Sequence, residues 1–404
     1  MVASLCWSAG LSVAAFGIGL HQLWVIWLGM GVLGGMGLGL GYISPVSMLV
    51  KWFPDRRGMA TGMAIMGFGG GAMIGAPLAT LLMGKFKNAN GPGVWQTFLV
   101  LAAVYLVFML AGSFGYRIPP ANWKPEDWVQ PAVIRGLADS GHVHLSQAAR
   151  TPQFWLIWVV LLMNVSAGLG VLSVASPMLQ ELFTVPAATA AGFVGLLSIF
   201  NIGGRFFWAA ISDKIGRKMT YFVFFAAGIA LYLAAPGAAH ASSKAPFVVF
   251  CCIILSMYGG GFATLPAYLA DVFGTHFIGA IHGRLLTAWP TAGVLGPVLV
   301  STINERAKEA GVAKAFIYDQ TLYVMAGLLA VGLVANLLVR PLAPRWVMTP
   351  NELAMMQDTR AGIAGSYGIG LGGMSARVAV VWLCVLLPIA WGLWMTLSKV
   401  AILF

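Results

Sequence analysis

The stretch Ile199-Phe-Asn-Ile-Gly-Gly-Arg-Phe-Phe-Trp-Ala-Ala-Ile-Ser-Asp-Lys-Ile-Gly-Arg-Lys218 joins two kinds of sequence. Its first half is an apolar run with an arginine, Arg205, in the middle; its second half is a short connection crowded with charge. A cation at membrane depth costs at least ~2.5–3.5 kcal/mol even on lenient insertion scales, so an arginine kept there needs a reason.

Composition puts the run in a membrane. The chain has 404 residues, of which 59% are hydrophobic and 9% charged, where a soluble domain carries about 25% charged. The net charge of +11 does not point to nucleic acid, because the basic residues sit mostly in short connections between apolar runs, where they orient a membrane chain. Cys6, Cys251, Cys252 and Cys384 lie in apolar runs without metal-ligand spacing, and with the methionines they read as helix packing. No metal or cofactor is expected. The uncharged Met1–Trp7 leads straight into a full-length apolar run, so the first run reads as a retained helix rather than a cleaved signal.

Crossing the hydrocarbon takes ~20 helical residues. About eleven segments qualify, near 2–20, 23–50, 59–83, 97–114, 154–182, 188–211, 219–239, 247–272, 277–303, 320–339 and 378–398. If the first starts in the cytoplasm, inward connections hold the Lys and Arg at 51, 56, 57, 117, 124, 135, 150, 214, 217, 218, 340, 345, 360 and 377. The outward side holds only 85, 87, 244, 306, 308, 314 and 399, a bias of the sign that fixes orientation. The expected organisation is an all-α polytopic membrane protein with an N-terminal bundle of four spans (1–116) and a cytoplasmic linker (117–153). A C-terminal six-helix bundle (154–340), a Gly-rich linker (341–377) and one additional span (378–404) follow. Laying residues 58–75 over 279–296 matches Gly58, Gly62 and Gly75 with Gly279, Gly283 and Gly296, and Phe68 with Trp289, which suggests parallel repeats.

Arg205 and Arg284 are the basic residues that fall inside spans, and none of the 12 acids lies in a span interior. A buried charge must be paired, and an anionic substrate would supply the partner. The alternative is a structural arginine that snorkels to the interface or bonds backbone carbonyls. Each lies eight residues from a span end, at Asp213 and His276, or ~12 Å along a helix. Gly203, Gly204 and Gly283 beside them either leave room for a ligand or let helices pack closely. His282 either exchanges a proton or lies at an interface. Asn201, Tyr258 and Trp289 complete the candidate substrate-binding set.

Two inward loops, Lys51-Trp-Phe-Pro-Asp-Arg-Arg-Gly58 and Ser212-Asp-Lys-Ile-Gly-Arg-Lys218, combine acid, base and glycine. Asp55, Arg56, Arg57, Asp213, Lys214, Gly216 and Arg217 either latch neighbouring helices in one conformation or form solvated loops.

Asp213-Lys-Ile-Gly-Arg217 resembles the D-R/K-x-G-R loop of the major facilitator superfamily. Lys51–Gly58 followed by Gly67-Phe-Gly69, Arg150-Thr-Pro-Gln-Phe-Trp155, Gly204–Trp208 and Asp271-Val-Phe-Gly-Thr275 resemble its oxalate/formate antiporter family, across about residues 20–340. The resemblance, shared with monocarboxylate carriers, implies a two-bundle fold and places Arg205 where the eighth-helix arginine binds substrate carboxylate. Three departures follow. Trp289 stands where the oxalate carrier has a lysine, which favours a small monocarboxylate or another organic anion over a dicarboxylate. The alignment begins at the third of twelve helices, so the missing pair comes from elsewhere, for instance an unknown partner, or the start is misassigned or truncated. The last span resembles a small accessory helix fused to the chain.

The expectation is a multi-pass secondary transporter of the cell (inner) membrane, moving a small organic anion through the lipid bilayer by alternating access. The alternative is a truncated, non-transporting remnant or sensor of the same fold. An enzyme is not expected, because no nucleophile–base pair or metal set is legible.

Overall fold

The structure is a computed structural model describing residues 1–88, 91–120, 141–313 and 316–349, with 123, 125, 133–134, 137–138, 351–352 and 394 besides. The expected last span at 378–398, most of the Gly-rich linker and much of the 117–153 connection lie outside the described residues.

Ten long helices follow in order: α1 Val2–Gly19, α2 Leu23–Trp52, α3 Arg57–Phe86, α4 Val94–Phe114 and α5 Pro152–Phe183. Then come α6 Ala187–Ile215, α7 Arg217–His240, α8 Lys244–Phe273, α9 Ile278–Glu309 and α10 Asp319–Leu338. Among the described residues nine helices are long and apolar enough to cross a bilayer. The departures from regular helix have local causes. In α2 the backbone widens into a π stretch at Trp27–Gly34, where a Cβ on Gly10 of α1 would lie 2.6 Å from the Gly34 nitrogen. The expected continuous ninth span is two pieces, Ile278–Leu285 and Ala288–Glu309, parted just ahead of Pro290, which has no N–H to offer the Leu286 carbonyl.

Helix ends follow sequence signals too. Thr151 Oγ1 accepts the Phe154 N–H at 3.3 Å, and Pro152 opens α5 at a position that tolerates it. Between α6 and α7 stands one residue, Gly216, at φ 88°, in the region side chains avoid.

The second bundle holds most of the core. In α8, 78% of the apolar window is buried, against 17% in α2 and 11% in α4. Phe108, Val107, Trp24 and Trp27 turn outward, as suits an apolar solvent that needs no polar face. The bundles meet where α3 crosses α6 and α8, and where α2 meets the first piece of α9. At the first crossing the backbones nearly touch. A Cβ on Gly58 would lie 2.3 Å from the Ala209 carbonyl oxygen, and one on Gly62 2.7 Å from that of Arg205.

Candidate anion site and inter-bundle lock

Asn201 and Arg205 are one turn apart on α6, so they share a face. Asn201 Oδ1 accepts the Arg205 Nε–H at 3.0 Å, and Nη1 donates across the bundle seam to the Ile65 carbonyl of α3 at 3.1 Å. The guanidinium carbon lies 5.7 Å from the Phe68 ring centre and 5.4 Å from that of Phe262, within cation–π range. Arg205 is 4% exposed. Its charge therefore rests on two neutral oxygens and two ring faces; no carboxylate pairs with it among the described residues.

Around it stands an aromatic shell drawn from both bundles. Phe68 and Phe262 are parallel, with centroids 6.4 Å apart. Trp289 meets them at 5.5 and 5.3 Å, and Tyr42 at 5.7 and 5.6 Å. His282 meets Tyr42 at 5.8 Å. The Tyr42 hydroxyl and His282 Nε2 are buried with no hydrogen-bond partner, so two polar groups in this shell have capacity to spare.

Of the sequence-derived candidates, the structure gathers Arg205, Asn201, Trp289 and His282. It does not bring Arg284 to them: that side chain is exposed and donates to the Leu145 carbonyl at 2.9 Å. Tyr258 packs against Gly168 of α5, where a Cβ would lie 2.5 Å from its ring, and lines a small cavity with Asn164. Gly204 and Gly283 are packing positions, a Cβ meeting the Ser256 carbonyl oxygen at 2.1 Å and Ile43 Cδ1 at 3.0 Å, whereas Gly203 faces open space. Tyr42, Phe68, Phe262 and the Ile65 carbonyl were not among the candidates. Only Phe68 carried a signal: its repeat partner in sequence, Trp289, is its ring partner in space.

At the Gly216 end of α6 lies a compact charge network. Asp213 accepts the backbone N–H groups of Gly58 and Met59 at 2.9 and 2.8 Å, capping the first turn of α3 with a negative charge. Arg217 pairs with Asp213 and, through Nε, with Asp271 at 3.4 Å; Arg57 reaches the same Asp271 at 3.3 Å. These side chains are 7–14% exposed, so this is not a solvated loop. Asp55 and Arg56 pair with each other at 3.3 Å on the exposed side of the turn, and Lys214 points outward. The neighbouring connection is tied to the same end. Trp52 Nε1 donates to the Arg117 carbonyl at 2.8 Å, and Trp123 Nε1 to the Trp52 carbonyl at 3.0 Å.

Residues 1–297 match the Major Facilitator Superfamily. The chain belongs to this family. It is 27% identical over 323 residues to the oxalate:formate antiporter of Oxalobacter formigenes, covering 80% of this chain and 72% of that protein. It is 37% identical over 87 residues to human monocarboxylate transporter 12, covering 22% of this chain and 16% of that one. Among solved structures, the outward conformation of the superfamily transporter FucP matches with a TM-score of 0.57 at 11% identity, covering 83% of this chain and 80% of that one. That likeness speaks for the fold alone. The family is one of membrane transporters.

Proposed function

We propose that this chain moves a small organic anion, a monocarboxylate before a dicarboxylate, across the cell membrane by alternating access, the two bundles rocking about a site near mid-depth. The observation that carries this reading is Arg205, a guanidinium buried at the seam between the bundles and held by neutral groups. An anion completes its pairing in a medium of low dielectric, where Coulomb attraction is strong. The shell offers one arginine, and the other ring partners named above are aromatic. A second carboxylate would find no second arginine or lysine here, and the Tyr42 hydroxyl and His282 Nε2 would offset only part of its desolvation cost. The names of the relatives, an oxalate:formate antiporter and a monocarboxylate transporter, point to the same substrate class. The Asp213 network acts as the lock on the side that the charge bias assigns to the cytoplasm. Anion exchange drives the cycle.

Thermal melts of the purified chain in detergent, with millimolar formate, acetate or oxalate, test the reading. Formate and acetate are expected to raise Tm, since a ligand at 100 times its Kd stabilises by about 2.7 kcal/mol, and oxalate to do so less. The Arg205→Gln protein is expected to lose the shift. A shift that survives in Arg205→Gln removes Arg205 from the site.

A further inference from the structure

Arg205 offers a carboxylate two forks, Nη1 with Nη2 at its end and Nε with Nη2 along its side. The side fork is engaged by Asn201, which sits on the same helix and moves with Arg205. The end fork is engaged by the Ile65 carbonyl, which belongs to the other bundle. That carbonyl lies inside α3, so its bond to Arg205 is additional to its place in the helix and uses the second lone pair. Ile65 is 1% exposed. Its carbonyl reaches Arg205 because Gly62 and Gly58, about one and two turns earlier, let α3 lie against α6.

We propose that the Ile65 carbonyl and the substrate carboxylate compete for the end fork of Arg205, so that binding exchanges an inter-bundle hydrogen bond for a substrate bond and loosens the α3–α6 seam. The proposal rests on the anion-site reading of Arg205. A carboxylate wins the exchange because it brings a full negative charge to the guanidinium in a medium of low dielectric and can bond it bidentately, whereas the Ile65 carbonyl offers one neutral oxygen. Asn201 keeps Nε throughout and acts as a positioning residue. The exchange joins recognition to movement: the group that gives way to the anion is also one that holds the bundles together. Of the inter-bundle hydrogen bonds among the described residues, those at Asp213 and Asp271 lie at the helix ends, and Thr61 Oγ1 bonds the Ala263 carbonyl at 3.1 Å one turn below Ile65. The Arg205 bond is the one an anion can take over directly.

Replacing the amide between Ile65 and Met66 by an ester, through an α-hydroxy acid at position 66, weakens the carbonyl as an acceptor while leaving every side chain in place. In the full chain, the affinity for formate should then rise by roughly two- to tenfold, the range expected for one hydrogen bond removed from a competitor. An ester at position 67, which weakens the Met66 carbonyl instead, controls for helix damage and should give no gain. A second measurement needs no substitution: amide hydrogen exchange in residues 57–68 should speed up when formate binds. Formate binding that depends on Arg205 but is no tighter in the position-66 ester, or exchange in 57–68 that slows, overturns the competition and leaves the anion site standing. If formate does not bind the unaltered chain, or binds Arg205→Gln equally well, the anion site fails and the exchange with it.

Discussion

Arg205 shows how a membrane interior tolerates a cation without an acid. Its two hydrogen bonds to neutral oxygens are worth about 1.5–3 kcal/mol each as bonds to a charged group, and two ring faces add about 0.5–2 kcal/mol. Those gains are of the same size as the several kcal/mol of desolvation that burial costs. Arg205→Gln should therefore change the Tm of the anion-free protein by only a few degrees, while Arg205→Lys, which keeps charge but loses the fork, should weaken carboxylate affinity at least about tenfold in a titration. Tyr42 supplies a sharper test. Its hydroxyl has no hydrogen-bond partner, so Tyr42→Phe removes a buried polar group at no cost in bonds and should leave Tm unchanged or raise it. A fall in formate affinity in that variant would then report a hydroxyl–substrate contact. The sequence showed Arg205 plainly because a charge in an apolar run stands out. It hid Tyr42 and Phe262, which look like other ring-bearing residues of apolar spans until the helices bring them together.

At the scale of helices, hydropathy located the spans and glycine decided how closely they pack. The apolar runs marked nearly every helix, because a segment without water around it must satisfy its own backbone. The break in α9 was not legible, since Pro45, Pro77 and Pro266 sit inside helices without ending them, and nothing local distinguishes Pro290. Glycines were equally ambiguous: Gly203 and Gly204 are adjacent in sequence, yet one is open and the other pressed on the Ser256 backbone. This yields a paired prediction. In Gly62→Ala the new methyl meets the Arg205 carbonyl oxygen at 2.7 Å and Ala209 Cβ at 2.8 Å, so α3 and α6 must separate, at about 1–3 kcal/mol for overpacking. Gly203→Ala meets nothing within 4 Å and should stabilise by about 0.5–1 kcal/mol through helix propensity. Melting curves of the two variants, recorded side by side, should move in opposite directions; equal shifts would mean that the α3–α6 contact is not tight.

The described helices form two bundles joined by charge at the Gly216 end of α6 and, farther along that helix, by Arg205. The loops carrying those charges were legible as a pattern, but their pairing was not. Asp213 reaches Gly58 across 155 positions, and Arg57 reaches Asp271 across 214, and it is Arg57, not its neighbour Arg56, that turns inward. The arrangement ranks two substitutions that a simple loop view would treat alike. Asp271 is shared by Arg57 and Arg217, so Asp271→Asn deprives two buried cations of a counter-charge, a change that costs about 3–5 kcal/mol when a buried pair is broken. Asp213→Asn leaves Arg217 on Asp271 but keeps an acceptor oxygen for only one of the Gly58 and Met59 N–H groups, which bond different carboxylate oxygens; it also loses the Arg217–Asp213 pair and the negative charge at the start of α3, the last worth about 0.3–1 kcal/mol and up to ~2 kcal/mol when partly buried. Asp271→Asn should thus lower Tm several degrees more than Asp213→Asn, and adding Arg57→Gln should recover part of the loss by removing one orphaned cation. Asp213→Asn should act on the balance of conformations instead. A loss of about 1.4 kcal/mol from the fastened state shifts a two-state equilibrium tenfold, so a cysteine placed at Met59 should react faster with a thiol reagent from the Gly216 side, with a smaller loss of Tm than in Asp271→Asn. Equal melting losses for the two variants would mean that the four charges stabilise the fold as one block and do not divide into a structural pair and a releasable cap.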